Sequence, residues 1–257
     1  MPKPQDGHEG WDEYAPFYDW ENAQTLGRRD VKFWRTLARR TGGPVLELGC
    51  GTGRVTLPVA RTGVSLVGLD RSWPMLDRAR QRKRRTRLRT LSLARGDIRA
   101  LPFADASFRM VMAPYGVLQS LLRERDLTET LASVARVLEQ GGRFAIDLVS
   151  DVPSWQEYDG HRSLRGELSH GVHVTLVESV RQDRRRRLTM FEQDYIERRG
   201  RRRIHHRFAL TFRTLSIRQM TSRLERAGFQ VTAVLGDYDG RPWHPEADAW
   251  IILATRG

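Results

Sequence analysis

Three glycines at alternate positions, Gly49, Gly51 and Gly53, follow a short apolar run that carries one acid, Val45-Leu46-Glu47-Leu48. Glycine lets backbone bend sharply and lets a ligand approach the chain with no Cβ in the way. The tip of a strand that turns directly into a helix is also where open α/β sheets bind ligands. A dinucleotide fingerprint needs its third glycine one residue later, where Arg54 stands, so the spacing disfavours a pyrophosphate cofactor. Cys50, the single cysteine, lies inside the same turn and can build neither an intrachain disulfide nor a multi-cysteine metal site. Neither redox nor zinc chemistry is indicated, and no metal ligands are expected.

The elements that must carry this turn alternate between two periodicities. Short apolar runs at Val45–Leu48, Val64–Leu69, Leu88–Ala94, Phe108–Ala113 and Arg143–Val149 read as strands. Helical spacing intervenes at Val55–Ala60, Met75–Arg84 and Leu127–Leu138. Repeated strand, helix, strand implies a parallel sheet covered on both faces, and right-handed crossovers make it doubly wound. From about His161 to Arg213 the apolar residues alternate instead (Val172, Val174, Leu176; Phe208, Leu210, Phe212), with Gly160, Gly171 and Gly200 as turn residues. That stretch reads as an antiparallel β insert after the fifth strand. A helix from the N-cap Ser216 to Ala227, stopped by Gly228, precedes two last strands near Phe229–Leu235 and Ala249–Thr255. The expected organisation is residues 1–150 as an N-terminal lid helix region plus core, 151–214 as the insert, and 215–257 as completion of a seven-stranded, mostly parallel sheet.

At 257 residues the chain can bury one α/β core with a small appended layer. Hydrophobic residues make up 39% and charged residues 29%, a globular composition. The polar stretch Met1–Gly10 has no apolar h-region and no later segment reaches spanning length, so a cytoplasmic protein without membrane contact is expected. Net charge is +13, with lysine only at Lys3, Lys32 and Lys83. Arginine concentrates in Arg78–Arg89, Arg184–Arg187 and Arg198–Arg203, the last followed by His205 and His206. Such runs can grip phosphate or carboxylate. Stacking aromatics do not interleave them, so they read as solvated faces and turns, with polyanion recognition as the other reading.

From Trp11 onward the chain resembles the class I, Rossmann-like methyltransferases that use S-adenosylmethionine, whose first motif is an acid followed by alternating glycines. Leu66-Val67-Gly68-Leu69-Asp70 resembles their second strand, which ends in the acid that holds the cofactor ribose. A carboxylate can accept from both ribose hydroxyls, so the residue type suits the task. Met75, in Ser72-Trp73-Pro74-Met75-Leu76, is similar to the residue that packs on adenine, and Gly96-Asp97-Ile98 to the motif that reads the adenine amine and ring edge. Leu101-Pro102-Phe103, Ser107-Phe108 and Leu138 to Phe144 continue the likeness, although Arg109 stands where an acid is common. The resemblance implies S-adenosyl-L-methionine as cofactor, bound along Glu47, Gly49, Gly51, Gly53, Asp70, Arg71, Met75, Asp97, Ile98 and Ala113. Glu47 has a second reading, in which it orients the loop without touching cofactor.

Methyl transfer asks mainly that a nucleophile be held in line with an activated methyl, so strong catalytic signatures are not expected. Trp11 to Trp20 resembles the tyrosine-rich opening of small-molecule methyltransferases, and Tyr18, with Tyr14, would cover the donor; the plainer reading is that these aromatics staple a helix to the body. After the fourth strand comes Ala113-Pro114-Tyr115, then Gln119-Ser120-Leu121, where relatives have Gln-His-Leu with a candidate base. Ser120 replaces that histidine, and Tyr115 remains as a positioning candidate. Relatives that methylate amino sugars, glycine or natural-product amines and hydroxyls build the acceptor pocket from the antiparallel insert. There His205 and His206 should point to opposite faces, so at most one reaches a pocket. Ala113-Pro114-Tyr115 is also similar to the Asn/Asp-Pro-Pro-aromatic motif of base-amine methyltransferases, but its polar first residue is missing. A small-molecule acceptor is therefore expected, with transfer to tRNA or rRNA as the alternative, on a monomer or homodimer.

Overall fold

The computed structural model describes residues 10–25, 29–149, 157–247 and 249–257. The polar stretch up to residue 9 and the expected insert boundary at 151–156 lie outside the described residues. In chain order the first elements are α1 (Trp11–Gln24), α2 (Val31–Thr41), β1 (Val45–Leu48), α3 (Thr56–Ala60), β2 (Leu66–Asp70), α4 (Trp73–Thr86), β3 (Leu91–Arg95), β4 (Phe108–Ala113), α5 (Glu124–Val137) and β5 (Leu138–Leu148). Then come β6 (Tyr158–Ser169), β7 (Val172–Asp183), β8 (Leu188–Arg199), β9 (Arg202–Arg213), α6 (Ile217–Arg226), β10 (Phe229–Leu235) and β11 (Trp250–Arg256). The chain divides into two units, residues 28–119, 123–151 and 215–257 in one and residues 1–27, 120–122 and 152–214 in the other.

In the larger unit a seven-stranded sheet has the order β10-β11-β5-β4-β1-β2-β3. The run from β3 to β5 is parallel, and β11 pairs antiparallel with both β5 and β10. This is the doubly wound, Rossmann-like sheet that the alternating pattern predicts. All four residues of β1 are buried, because a central parallel strand is covered on both faces. One of those faces is closed by α2, whose Val31, Trp34, Leu37 and Ala38 join Val45, Leu66, Leu91, Met110 and Met112 in one apolar cluster. Sequence reading had left α2 without an element, although its buried residues fall at helical spacing. α6 begins where expected, since Ser216 Oγ accepts from Gln219 N at 3.2 Å and Gln219 Oε1 accepts from Ser216 N at 3.1 Å, a reciprocal cap. β3 starts three residues later than its apolar run, because α4 extends to Thr86 and Arg87 turns left-handed at φ 54°.

The smaller unit is a four-stranded antiparallel sheet, β6-β7-β8-β9, with α1 contacting β6 and β9. Its hairpins turn at His170-Gly171, at Arg184–Arg187 and at Gly200-Arg201. Two of the three arginine runs are thus exposed hairpin tips. Gly160 lies inside β6, beside a register shift, and does not separate two strands. Among the described residues no helix is long and apolar enough to cross a membrane. No group of three or more His, Cys, Asp or Glu among them is placed to hold a metal ion.

Candidate active site

The strand order reverses between β1 and β4, and at such a switch point the carboxyl ends of the strands open a crevice. The turn that leaves β1 is shaped by three glycines with positive φ that serve two purposes. A Cβ on residue 49 would stand 2.4 Å from Val117 Cγ2, and one on residue 53 would stand 2.2 Å from Leu57 Cδ1. Gly49 and Gly53 are therefore demanded by packing as well as by backbone conformation. Gly51, at φ 53°, is different: a Cβ there would meet nothing within 4 Å. Its place is open, and its N–H is held at 2.7 Å by Asp70 Oδ2 from the tip of β2. Asp70 Oδ1 accepts from Ser72 N at 2.8 Å, so one carboxylate fixes two turns at once.

Next along the edge, Asp97 follows β3 and takes a forked pair from Arg99, whose Nη2 lies 2.6 Å from Oδ2, while Arg71 Nη1 stands at 3.7 Å. The Arg99 guanidinium, opposed by partial burial, holds the Asp97 carboxyl below its usual range. Arg99 also reaches Asp126 at 3.3 Å, and the two acids share an open cavity of about 570 Å³ with Arg123 and Glu129. Met75 is buried in the first turn of α4, Ile98 is half-buried beside Asp97, and Ala113 is the buried last residue of β4. Ten sequence-chosen residues from Glu47 to Ala113 thus lie on one unit, at or next to the ends of β1 to β4.

The residue after Gly53 enters an ion pair that sequence reasoning did not find. Arg54, at the position where a dinucleotide site would have glycine, makes a two-pronged bond to Asp30, both contacts at 2.7 Å. Its guanidinium also lies 5.2 Å from the ring centroid of Tyr115, a residue with φ 63°. The following Gly116 donates its N–H to Asp147 Oδ1 at 2.9 Å, and Tyr238 OH donates to Asp147 Oδ2 at 2.8 Å. Burial pushes Asp147 up to about 6, against those two hydrogen bonds. Gln119 is buried and clasps Val149 by both backbone groups, at 2.8 and 3.1 Å. Burial also pushes the Cys50 thiol up, as expected for an inert packing residue rather than a nucleophile.

Glu47 is 2% exposed, and burial pushes it up to about 8 from 4.5, against the Thr56 hydroxyl and the Arg54 guanidinium. Among the described residues its Oε2 has no hydrogen-bond partner. Folded Glu47 therefore holds its proton where the unfolded chain has released it. The associated stability is complete below about pH 4.5 and is lost as pH rises through about 8. Thermal unfolding of wild type should thus fall between pH 5 and pH 8.5 relative to Glu47→Gln, which carries no titrating proton. Parallel melting curves for the two proteins would contradict the assignment.

Tyr14 and Tyr18 belong to the smaller unit. There Tyr14 OH donates to Glu21 Oε2 at 2.8 Å and the two tyrosine rings meet edge to face at 5.5 Å. His205 is exposed and pairs with Asp194 at 2.9 Å, whereas His206 turns to the other face and lies 5.1 Å from the Phe17 ring. Alternation along the strand separated these histidines as expected.

Residues 45–142 match the family described as methyltransferase domain. The chain is 31% identical over 186 residues to the demethylmenaquinone methyltransferase of Paenarthrobacter aurescens, covering 66% of this chain and 70% of that protein. It is 28% identical over 216 residues to the cypemycin N-terminal methyltransferase of a Streptomyces species, covering 84% of each. In fold it is similar to a sugar N-methyltransferase of a Streptoalloteichus species, with a TM-score of 0.75 at 18% identity over 93% of this chain and 92% of that one. Against other demethylmenaquinone methyltransferases the chain spans 54–60% of their length. The turn, the acid at the tip of each of the first strands and these likenesses agree, and the chain belongs to the class I S-adenosylmethionine-dependent methyltransferases.

Proposed function

We propose that the chain transfers a methyl group from S-adenosylmethionine to an amine or hydroxyl of a small acceptor. The observation that carries this reading is the open cradle over Gly51, where an added Cβ would meet no described protein atom within 4 Å, beside the Asp70 carboxylate that accepts its N–H. The residues present fit the group. Gly49, Gly51 and Gly53 shape the main chain against which an adenosyl compound lies, Asp70 faces its ribose, and Asp97 with Ile98 and Met75 serves the adenine. Arg71, Ala113 and Glu47 border the same edge. When bound, the cofactor supplies a methyl already activated by its sulfonium, so the protein's work is to orient the acceptor and exclude water. Tyr115, at positive φ and with the Arg54 guanidinium 5.2 Å from its ring centroid, is a positioning residue in this reading. The N-methylating relatives favour an amine, and the antiparallel sheet is the part that binds it.

Calorimetry with S-adenosylhomocysteine tests the reading through the contrast between two glycines. Gly51→Ala should weaken binding at least about tenfold while costing only the left-handed backbone penalty, about 1–2 kcal/mol. Gly53→Ala meets Leu57 as well and should lose a further 1–3 kcal/mol or so of stability. Equal ligand affinity in wild type and Gly51→Ala would reject the cradle.

A further inference from the structure

The sheet of the smaller unit places a polar group where its pattern calls for apolar residues. Val174, Leu176, Glu178 and Val180 of β7 share one face, and Glu178 stands directly opposite Gln193 of β8. Two residues on is Tyr195, fully buried, with its ring stacked on Phe17 at 4.3 Å and on Phe208 at 5.3 Å. Tyr195 OH and Tyr14 OH both donate to Glu21 Oε2 from either side. Glu178 is gripped in the same manner, by Tyr158 OH on one oxygen and by Gln193 Nε2 at 2.9 Å on the other. Two carboxylates are thus oriented by phenols and an amide within an aromatic wall that includes Trp20, 6.1 Å from Tyr195.

Among the described residues neither carboxylate has a cationic partner. In this arginine-rich chain the other acids nearby are matched: Glu197 by Arg199 and by His206 at 3.4 Å, Asp194 by His205 and Arg207, Asp159 by Arg181 at 3.1 Å. Among the described residues no Arg, Lys or His nitrogen stands within 4.0 Å of Glu21 or Glu178, and His161, opposite Glu178 on β6, is exposed and makes no such pair. Two like charges in a partly buried site raise each other's cost. Burial raises the Glu21 pKa, Tyr195 and Tyr14 oppose that, and Glu178 adds to it. A second sign of an unfilled polar place is the side chain of Gln193, 5% exposed, whose Oε1 has no hydrogen-bond partner among the described residues while its Nε2 donates to Glu178. Glu21, Glu178 and Tyr158 are half-buried and so can be reached, while Tyr14, Tyr195 and Gln193 form the floor.

We propose that Glu21 and Glu178, with Gln193 Oε1, recognise the acceptor as an aliphatic ammonium, which makes this chain an amine rather than a hydroxyl methyltransferase. The inference rests on the methyl-transfer reading and narrows its acceptor. An ammonium brings the positive charge and N–H donors that match two carboxylates and an amide oxygen, and the surrounding ring faces attract the same cation. For transfer the bound ammonium gives one proton to a glutamate carboxylate, and the freed nitrogen lone pair forms the N–CH3 bond as the methyl–sulfur bond breaks, leaving S-adenosylhomocysteine and a protonated N-methylamine. A neutral hydroxyl would leave the paired charges uncompensated.

The probes are cyclohexylammonium and its neutral counterpart cyclohexanol, each titrated into the full chain saturated with S-adenosylhomocysteine and followed by ligand-observed NMR. Cyclohexylammonium should bind at least about tenfold better than cyclohexanol, the worth of one charged hydrogen bond. Glu21→Gln and Glu178→Gln should each erase that preference while leaving S-adenosylhomocysteine affinity as in wild type. Equal binding of the two probes by wild type, or no binding of either, overturns the proposal without any variant. Variants that melt earlier yet keep the ammonium preference would also overturn it, since the glutamates would then only fasten α1 to the sheet. Loss of S-adenosylhomocysteine binding by wild type itself would instead sink the methyl-transfer reading.

Discussion

Arg54→Met should lower the unfolding free energy by about 3–5 kcal/mol, the cost of leaving a buried charge without its partner. Asp30 is fully buried at its side chain and Arg54 is 11% exposed, so neither has water to fall back on. Both guanidinium contacts are 2.7 Å, and the same group lies over Tyr115. Methionine keeps the stem volume and removes only the charge and the fork, so lost packing will not imitate the effect. The pair ties the start of α2 to the turn after β1. Its loss should therefore also loosen the glycine turn and reduce S-adenosylhomocysteine affinity. The double variant Asp30→Leu, Arg54→Met should regain most of the lost stability, because no charge is then stranded. Urea unfolding of the three proteins checks the prediction. A single variant within about 1 kcal/mol of wild type would show that the pair is solvated and weak.

This pair shows where sequence reading stops. The central strands of the parallel sheet were legible because they are covered on both faces and so read as apolar runs; β1 and β4 match their runs residue for residue, whereas the edge strand β3, only partly buried, was displaced by three residues. The acid and glycines at the tip of β1 were legible because their spacing is local. Asp30 was not, since its partner is 24 residues away. Asp147 lies inside an apolar run and carries no local mark of its bonds to Gly116, 31 residues away, and Tyr238, 91 away. Glu21 and Tyr195 are 174 residues apart. Periodicity says which side of an element faces inward, but it cannot say which buried polar groups meet there.

Asp70→Ala should weaken S-adenosylhomocysteine binding by about 1.5–3 kcal/mol, roughly tenfold to 150-fold, because hydrogen bonds to a charged group are worth that much. Two contributions are folded into this figure. Asp70 Oδ2 accepts from Gly51 N at 2.7 Å and Oδ1 from Ser72 N at 2.8 Å, so the carboxylate fixes the backbone, and in the proposed reading it also faces the ligand. Asp70→Asn separates the two, since its amide retains one acceptor oxygen for a backbone N–H but loses the charge and the second acceptor. If ribose recognition dominates, asparagine should lose nearly as much affinity as alanine while unfolding like wild type. If loop support dominates, asparagine should retain most of the affinity, and alanine should bind weakly and melt earlier. Calorimetry and thermal unfolding on the same three proteins decide between them. Unchanged affinity in Asp70→Ala would remove the acid from the site altogether, and with it the reason to place a nucleoside at the tip of β2.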